Sequence, residues 1–167
     1  TDNSVELIES FAKKYPSIRL VRNEKNMGVV HAFRRAMNLV TGTYFVPWSS
    51  DDIVMPGLFE KSMDLLAQYP QAGFCSTLIE KIDENGNILG VSPEPPYYSN
   101  TPCYIPPEKA LQALLERGNW WVPHTGLWKT QLVRKVGGFP EEAGPYLDAF
   151  SIPLMFLNYG ACFIPEP

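Results

Sequence analysis

Val5, Ile8 and Ala12, with Leu7 and Phe11 beside them, recur at helical intervals and predict a helix over 3–14. Asn3 followed by Glu6 has the form of a capping box at its start, and Pro16 ends it. The run SIRLVR (17–22) predicts a short strand, and NEKNMG turns the chain into a second helix over 29–40. There Val29, Val30, Ala32, Phe33, Ala36, Met37 and Val40 keep helical spacing, and Gly42 is the stop. TYFVPW (43–48) is apolar enough to predict a central strand. Pro56 has the character of a first-turn proline for a helix over 56–69. A strand over 72–82, the turn DENGN (83–87) and a hairpin arm at 88–92 follow. Residues 93–107, rich in proline, tyrosine and serine, predict a loop long enough to suggest a functional flap. The remainder predicts helices at 107–117, 130–136 and 147–159, extended chain at 120–130 and a closing strand in ACFIPEP.

Helices alternating with strands are the pattern of an α/β domain with a largely parallel sheet flanked by helices. The pattern begins on a helix rather than on the strand that opens such a sheet. The expectation is therefore that an N-terminal segment carrying the first strand or strands precedes this sequence. The 167 residues suit one domain. A net charge of −4 argues against a nucleic-acid binder. No run of about 18 apolar residues exists to span a bilayer. Cys75, Cys103 and Cys162 lack metal-ligand spacing and read as ordinary reduced cysteines of a cytosolic protein.

Against this background one stretch stands out. WSSDD (48–52) places two adjacent carboxylates, Asp51 and Asp52, where a buried strand ends. Ligands of open α/β sheets bind beyond the carboxyl ends of the strands. Mg²⁺ and Mn²⁺ prefer carboxylate oxygens and fill their remaining positions with phosphates and water. One reading of the pair is thus a metal–diphosphate site. The other is that Asp52 caps the following helix while Asp51 faces solvent.

The ordered series Asn26-Met27-Gly28, Gly42-Thr43-Tyr44, Ser49-Ser50-Asp51-Asp52 and Pro56 resembles the donor half of a family 2 glycosyltransferase. KTQLVRKVGGFPEE and the helix after it resemble that family's later part, so the likeness covers nearly the whole chain. It implies the nucleotide-diphospho-sugar transferase (A-type glycosyltransferase) fold over 1–167, with 1–92 as donor-nucleotide half and 93–167 as acceptor half. It also implies that Asp52 and Asp51 hold Mn²⁺ or Mg²⁺ on the donor diphosphate, or that Asp51 touches the donor ribose. Asn26 and Gly28 would shape a turn beside the nucleotide, and Asp148 would be the base for an inverting displacement. The donor would be a nucleotide-sugar, UDP-linked, and the acceptor a glycan or a lipid-linked hydroxyl in cell-surface polysaccharide or glycoprotein assembly. Such enzymes work in the cytoplasm, peripherally at the inner face of the membrane.

The sequence departs from that pattern in places. Ser49 stands where the acidic motif usually has its first Asp, and Leu147-Asp148 where an acidic pair is usual. Pro153 falls inside the expected last helix, which should start late or kink. No Gln-x-x-Arg-Trp motif is present, which points to single-sugar transfer rather than processive synthesis. Trp121 and His124, in WWVPHTG, read either as a wall of the sugar site or as a core aromatic cluster with one hydrogen-bonded histidine. Two other functions remain open to the sequence: a nucleotidyltransferase, and a non-catalytic carbohydrate-binding or scaffold module that keeps the fold.

Overall fold

The computed structural model describes residues 3–94, 96–117 and 126–167. Its backbone falls into two units, Thr1–Leu39 and Val40–Pro167. The first holds α1 (Ser4–Lys14) and α2 (Val29–Leu39). Asn3 makes no side-chain cap, so the expected capping box does not form; the helix starts on a backbone bond from the Leu7 amide to the Asn3 carbonyl at 3.0 Å. Residues 17–22 are not a strand. A strand exists only by pairing, and no described segment of this unit pairs with them. Arg35 instead ties α2 to this stretch, donating to the Arg22 carbonyl at 2.8 Å and to Asn23 Oδ1 at 2.5 Å.

The second unit carries a five-stranded sheet. Its strands are β1 (Tyr44–Phe45), β2 (Phe74–Thr77), β5 (Cys103–Ile105), β6 (Leu127–Lys129) and β7 (Ala161–Ile164). The order is β1-β6-β2-β7-β5. Between β2 and β5 in the chain, β3 (Ile79–Ile82) and β4 (Ile88–Ser92) form a separate hairpin. The helices are α3 (Leu58–Gln68), α4 (Pro107–Arg117), α5 (Thr130–Lys135) and α6 (Leu147–Tyr159).

The α/β class holds, but the sheet is mixed rather than largely parallel. β2 and β7 pair parallel, whereas β6 lies antiparallel between β1 and β2, and β5 antiparallel on β7. β1, β2 and β7 therefore point one way, and β5 and β6 the other. A helix–strand alternation gives element order; it carries no information about strand direction when a short strand enters by a loop. β6 and β5 are such strands, and the second interrupts the loop expected at 93–107. β1 is an edge strand of two residues, not the central strand expected. Pro47, which has no N–H to donate, follows it closely.

Both faces of the sheet are covered, which is why β2 and β7 are buried at every position. Leu65 and Leu66 of α3 pack with Cys75, Leu127, Cys162 and Ile164 on one face. The alternate residues face the other way. Phe74 stacks on Trp128 with ring centroids 4.9 Å apart and meets Phe156 of α6 edge-on at 6.5 Å. Each such buried side chain contributes about 1.5–3 kcal/mol over its exposed state.

Two more expectations are corrected here. Pro56 is not in the first turn of α3. It lies in a preceding turn, and Gly57, at φ 89°, occupies the N-cap. α6 runs from Leu147 to Tyr159 with Pro153 inside it rather than starting late. Its irregularity comes earlier, in the 3-10 turn Glu141–Tyr146, where Gly144 leaves helical geometry.

Candidate donor site

Three stretches of sequence converge on a cavity of about 340 Å³ in the second unit. The first is the segment after β1, which contributes Trp48, Asp51, Asp52, Ile53, Met55 and Leu58. The second is the carboxyl end of β2 with the start of β3: Thr77, Leu78, Ile79 and Glu80. The third comprises the hairpin residues Ile82, Gly86 and Ile88, and Pro167 joins them. The hairpin folds back because the Asp83 carboxylate accepts three bonds at 2.8–2.9 Å, from the amides of Asn85 and Asn87 and the Asn87 side chain. Gly86, at φ 81°, supplies the turn. Pro167 is brought in by its neighbour. The Leu78 amide donates to the Glu166 carbonyl at 3.0 Å, and Lys61 of α3 pairs with the Glu166 carboxylate.

Asp51 and Asp52 are both exposed at this cavity. The turn that presents them closes by the Asp52 amide donating to the Ser49 carbonyl at 3.3 Å. Trp48 Nε1 reaches the Asp52 carbonyl at 3.4 Å. Since α3 starts on Leu58, six residues after Asp52, with Gly57 as its N-cap, the reading of Asp52 as its helix cap does not hold. Glu80, half-buried on β3, brings a third carboxylate to the same cavity. Its position was hidden in the sequence because 72–82 reads as one core strand. The chain breaks that strand at Leu78, and the second piece leaves the sheet for the hairpin.

The donor set suits a hard divalent cation. Asp51 and Asp52 offer oxygen ligands open to solvent, with room beside them for phosphate and water to complete the shell. No group of three or more metal-ligating side chains gathers among the described residues.

Asn26 and Gly28 belong to the first unit. The Gly28 amide donates to Asn26 Oδ1 at 2.9 Å, and Gly28 takes φ 80°, which closes the turn before α2. Asp148 lies in the first turn of α6, half-buried, its Oδ1 accepting from the Ala149 amide at 2.7 Å. It is not among the residues lining the cavity of Asp51 and Asp52. The helix that carries it is anchored by Ser151 Oγ donating to the Gly138 carbonyl at 2.6 Å. Gly137 and Gly138, both at positive φ, end α5 and make that carbonyl available. Trp121 and His124 fall outside the described residues. Among the described residues no helix is long and apolar enough to cross a membrane.

Comparison with known proteins bears on the family and the fold. The chain is 31% identical over 84 residues to an uncharacterized glycosyltransferase of Methanocaldococcus jannaschii, covering 50% of this chain and 29% of that protein. It is 37% identical over 65 residues to an uncharacterized glycosyltransferase of Escherichia coli, covering 39% and 19% respectively. The chain thus spans less than a third of the length of these relatives. Among solved structures, a mannosyltransferase from Pyrobaculum calidifontis in complex with GDP-Man and Mn²⁺ shares the fold. The TM-score is 0.62 at 19% identity, over 100% of this chain and 45% of that one. The sequence model of Glycosyl transferase family 2 matches residues 1–119, well over half of the chain. On that match, this chain belongs to glycosyl transferase family 2.

Proposed function

We propose that the chain is the sugar-transfer domain of a metal-dependent, inverting glycosyltransferase. It moves one sugar from a nucleotide-diphospho-sugar to a hydroxyl of a glycan or lipid-linked acceptor. The observation that carries this reading is the placement of Asp51 and Asp52 after β1, at a cavity floored by the carboxyl end of β2. In this reading the whole of 1–167 is one functional domain, with 1–92 serving the donor and 93–167 the acceptor. The family match, and a fold shared with a protein bound to GDP-Man and Mn²⁺, support it.

Asp51 and Asp52 would hold Mn²⁺ or Mg²⁺. Bound there, such a cation would supply positive charge to the diphosphate leaving group. Asn26 and Gly28 shape a backbone turn for the nucleotide. Asp148 takes the proton from the acceptor hydroxyl as its oxygen bonds to the anomeric carbon and the bond to the diphosphate breaks. One displacement inverts the configuration at that carbon. A UDP-linked donor is our first choice, and work at the inner face of the membrane our expected setting.

The test is calorimetric titration of UDP and of GDP into the protein, with and without Mn²⁺. Metal-dependent binding that disappears in Asp52→Ala is the expected result, and it also ranks the two nucleotides. Absence of binding in the unaltered protein would favour a non-catalytic module of the same fold.

A further inference from the structure

A second cavity, of about 420 Å³, lies elsewhere in the same unit and shares no lining residue with the first. Its walls are Glu94, Tyr97 and Tyr98 from the loop after β4, Glu116 and Arg117 from the last turn of α4, and Phe163 of β7. The volume falls in the range of about 300–1,000 Å³ usual for small-ligand sites.

The loop is held before any ligand arrives. Arg117 Nη1 donates to the carbonyls of Pro96 and Tyr97, each at 3.1 Å. Its guanidinium carbon lies 5.7 Å from the centre of the Tyr98 ring. Gln112, one turn back on α4, donates to Glu116 Oε1 at 2.7 Å and steadies that carboxylate. Burial is the main cause that pushes the Tyr98 hydroxyl above its ordinary pKa, so it stays protonated and able to donate. A preformed wall of this kind lowers the ordering cost of binding.

The chemistry of this wall is selective. A sugar ring has an apolar C–H face and a rim of hydroxyls. Half-buried tyrosine rings suit the face, and carboxylates with a guanidinium suit the rim, since both make paired hydrogen bonds. Two glutamates against one arginine leave the lining net negative. That disfavours a phosphate or a nucleic acid and favours a neutral ligand with many donors. We propose that this cleft is a saccharide-binding subsite, taking a neutral oligosaccharide with Tyr97, Tyr98 and Glu116 as its main contacts. The subsite stands on its own cavity and does not depend on occupation of the Asp51–Asp52 site.

The experiment is a titration of maltotriose, cellotriose, mannotriose and chitotriose into isotopically labelled protein, without metal or nucleotide. Amide shifts of Glu94, Tyr97, Tyr98 and 112–117 are followed. At least one sugar should give saturable shifts there. Tyr97→Ala should weaken it about tenfold, as truncation of an aromatic anchor does. Tyr97→Phe, which keeps the ring, should retain binding. Glu116→Gln alters an exposed helix turn without threatening the fold, and should also bind more weakly. Asp52→Ala should bind the sugar as the unaltered protein does, which separates this subsite from the donor site. The proposal is overturned if none of the four sugars moves those amides, or if Tyr97→Ala and Glu116→Gln both bind like the unaltered protein.

Discussion

The single carboxylates carry the sharpest expectations. Asp148→Asn keeps the size of the side chain and removes its basicity. If Asp148 is the base, the variant should bind metal and nucleotide as before while kcat falls about 10²–10⁴-fold. Near-normal turnover would remove Asp148 from the mechanism. The thiols behave as their surroundings dictate. Burial pushes Cys75 up to about 12, and Cys162, its partner across β2 and β7, is also raised chiefly by burial. Thiolates are the reactive form, so neither should react with iodoacetamide at pH 8 in the folded protein. Cys103, only half-buried on β5, should be alkylated first, and mass mapping of the labelled peptides would show it.

At the scale of the elements, the hairpin that walls the cavity beside Asp51 and Asp52 depends on Asp83. Bonds from the Asn87 side chain and amide hold its carboxyl below the ordinary value of 3.8. A lowered folded pKa means that the ionised form stabilises the turn. That stabilisation is complete above the ordinary value and is lost as pH falls through the lowered one. Amide resonances of Asn85 and Asn87 should therefore shift on acidification below about 3.8, and Asp83→Ala should abolish that titration. The end of α6 is a second sensitive point. Gly160 adopts φ 68°, and a Cβ there would press into the Ile105 carbonyl of β5. Gly160→Ala should cost about 1–3 kcal/mol from the backbone conformation alone, and more from the clash, read as a lower denaturation midpoint. Elements were legible where a pattern of one period ran without interruption. α1, α2, α4, α5 and α6 all lie within a residue or two of their expected spans. The failures occur where a neighbour decides. Residues 17–22 lack a strand partner among the described residues of their unit. The expected strand over 72–82 divides between the sheet and a hairpin.

For the molecule as a whole, the two units differ in how they are built. No described residue of 3–39 is buried, whereas every buried side chain among the described residues and the whole five-stranded sheet lie in Val40–Pro167. The second unit therefore contains the hydrophobic core. Expressed alone, 40–167 should retain a cooperative thermal transition by circular dichroism. A non-cooperative melt would show that 1–39 is required for its core. If a donor nucleotide with Mn²⁺ binds the native state as proposed, it should raise the stability of the protein by about 2.7 kcal/mol at a hundred times its Kd. Chelation should reverse the gain, and Asp52→Ala should prevent it.

Residue types and their spacing alone determined the α/β class, the position of most helices, the Asn-Gly turn of the hairpin and the pair Asp51–Asp52 at a strand end. These are local properties, set by side-chain period, by glycine's access to positive φ and by the preference of hard cations for carboxylates. The direction of β5 and β6, the edge position of β1 and the entry of Glu80 into the cavity of Asp51 and Asp52 were decided only by tertiary structure. So was the meeting of the 93–98 loop with the end of α4 around Tyr97 and Glu116. Each of these depends on hydrogen bonds or packing between segments far apart in the chain, and no local pattern encodes which distant partner a segment will find.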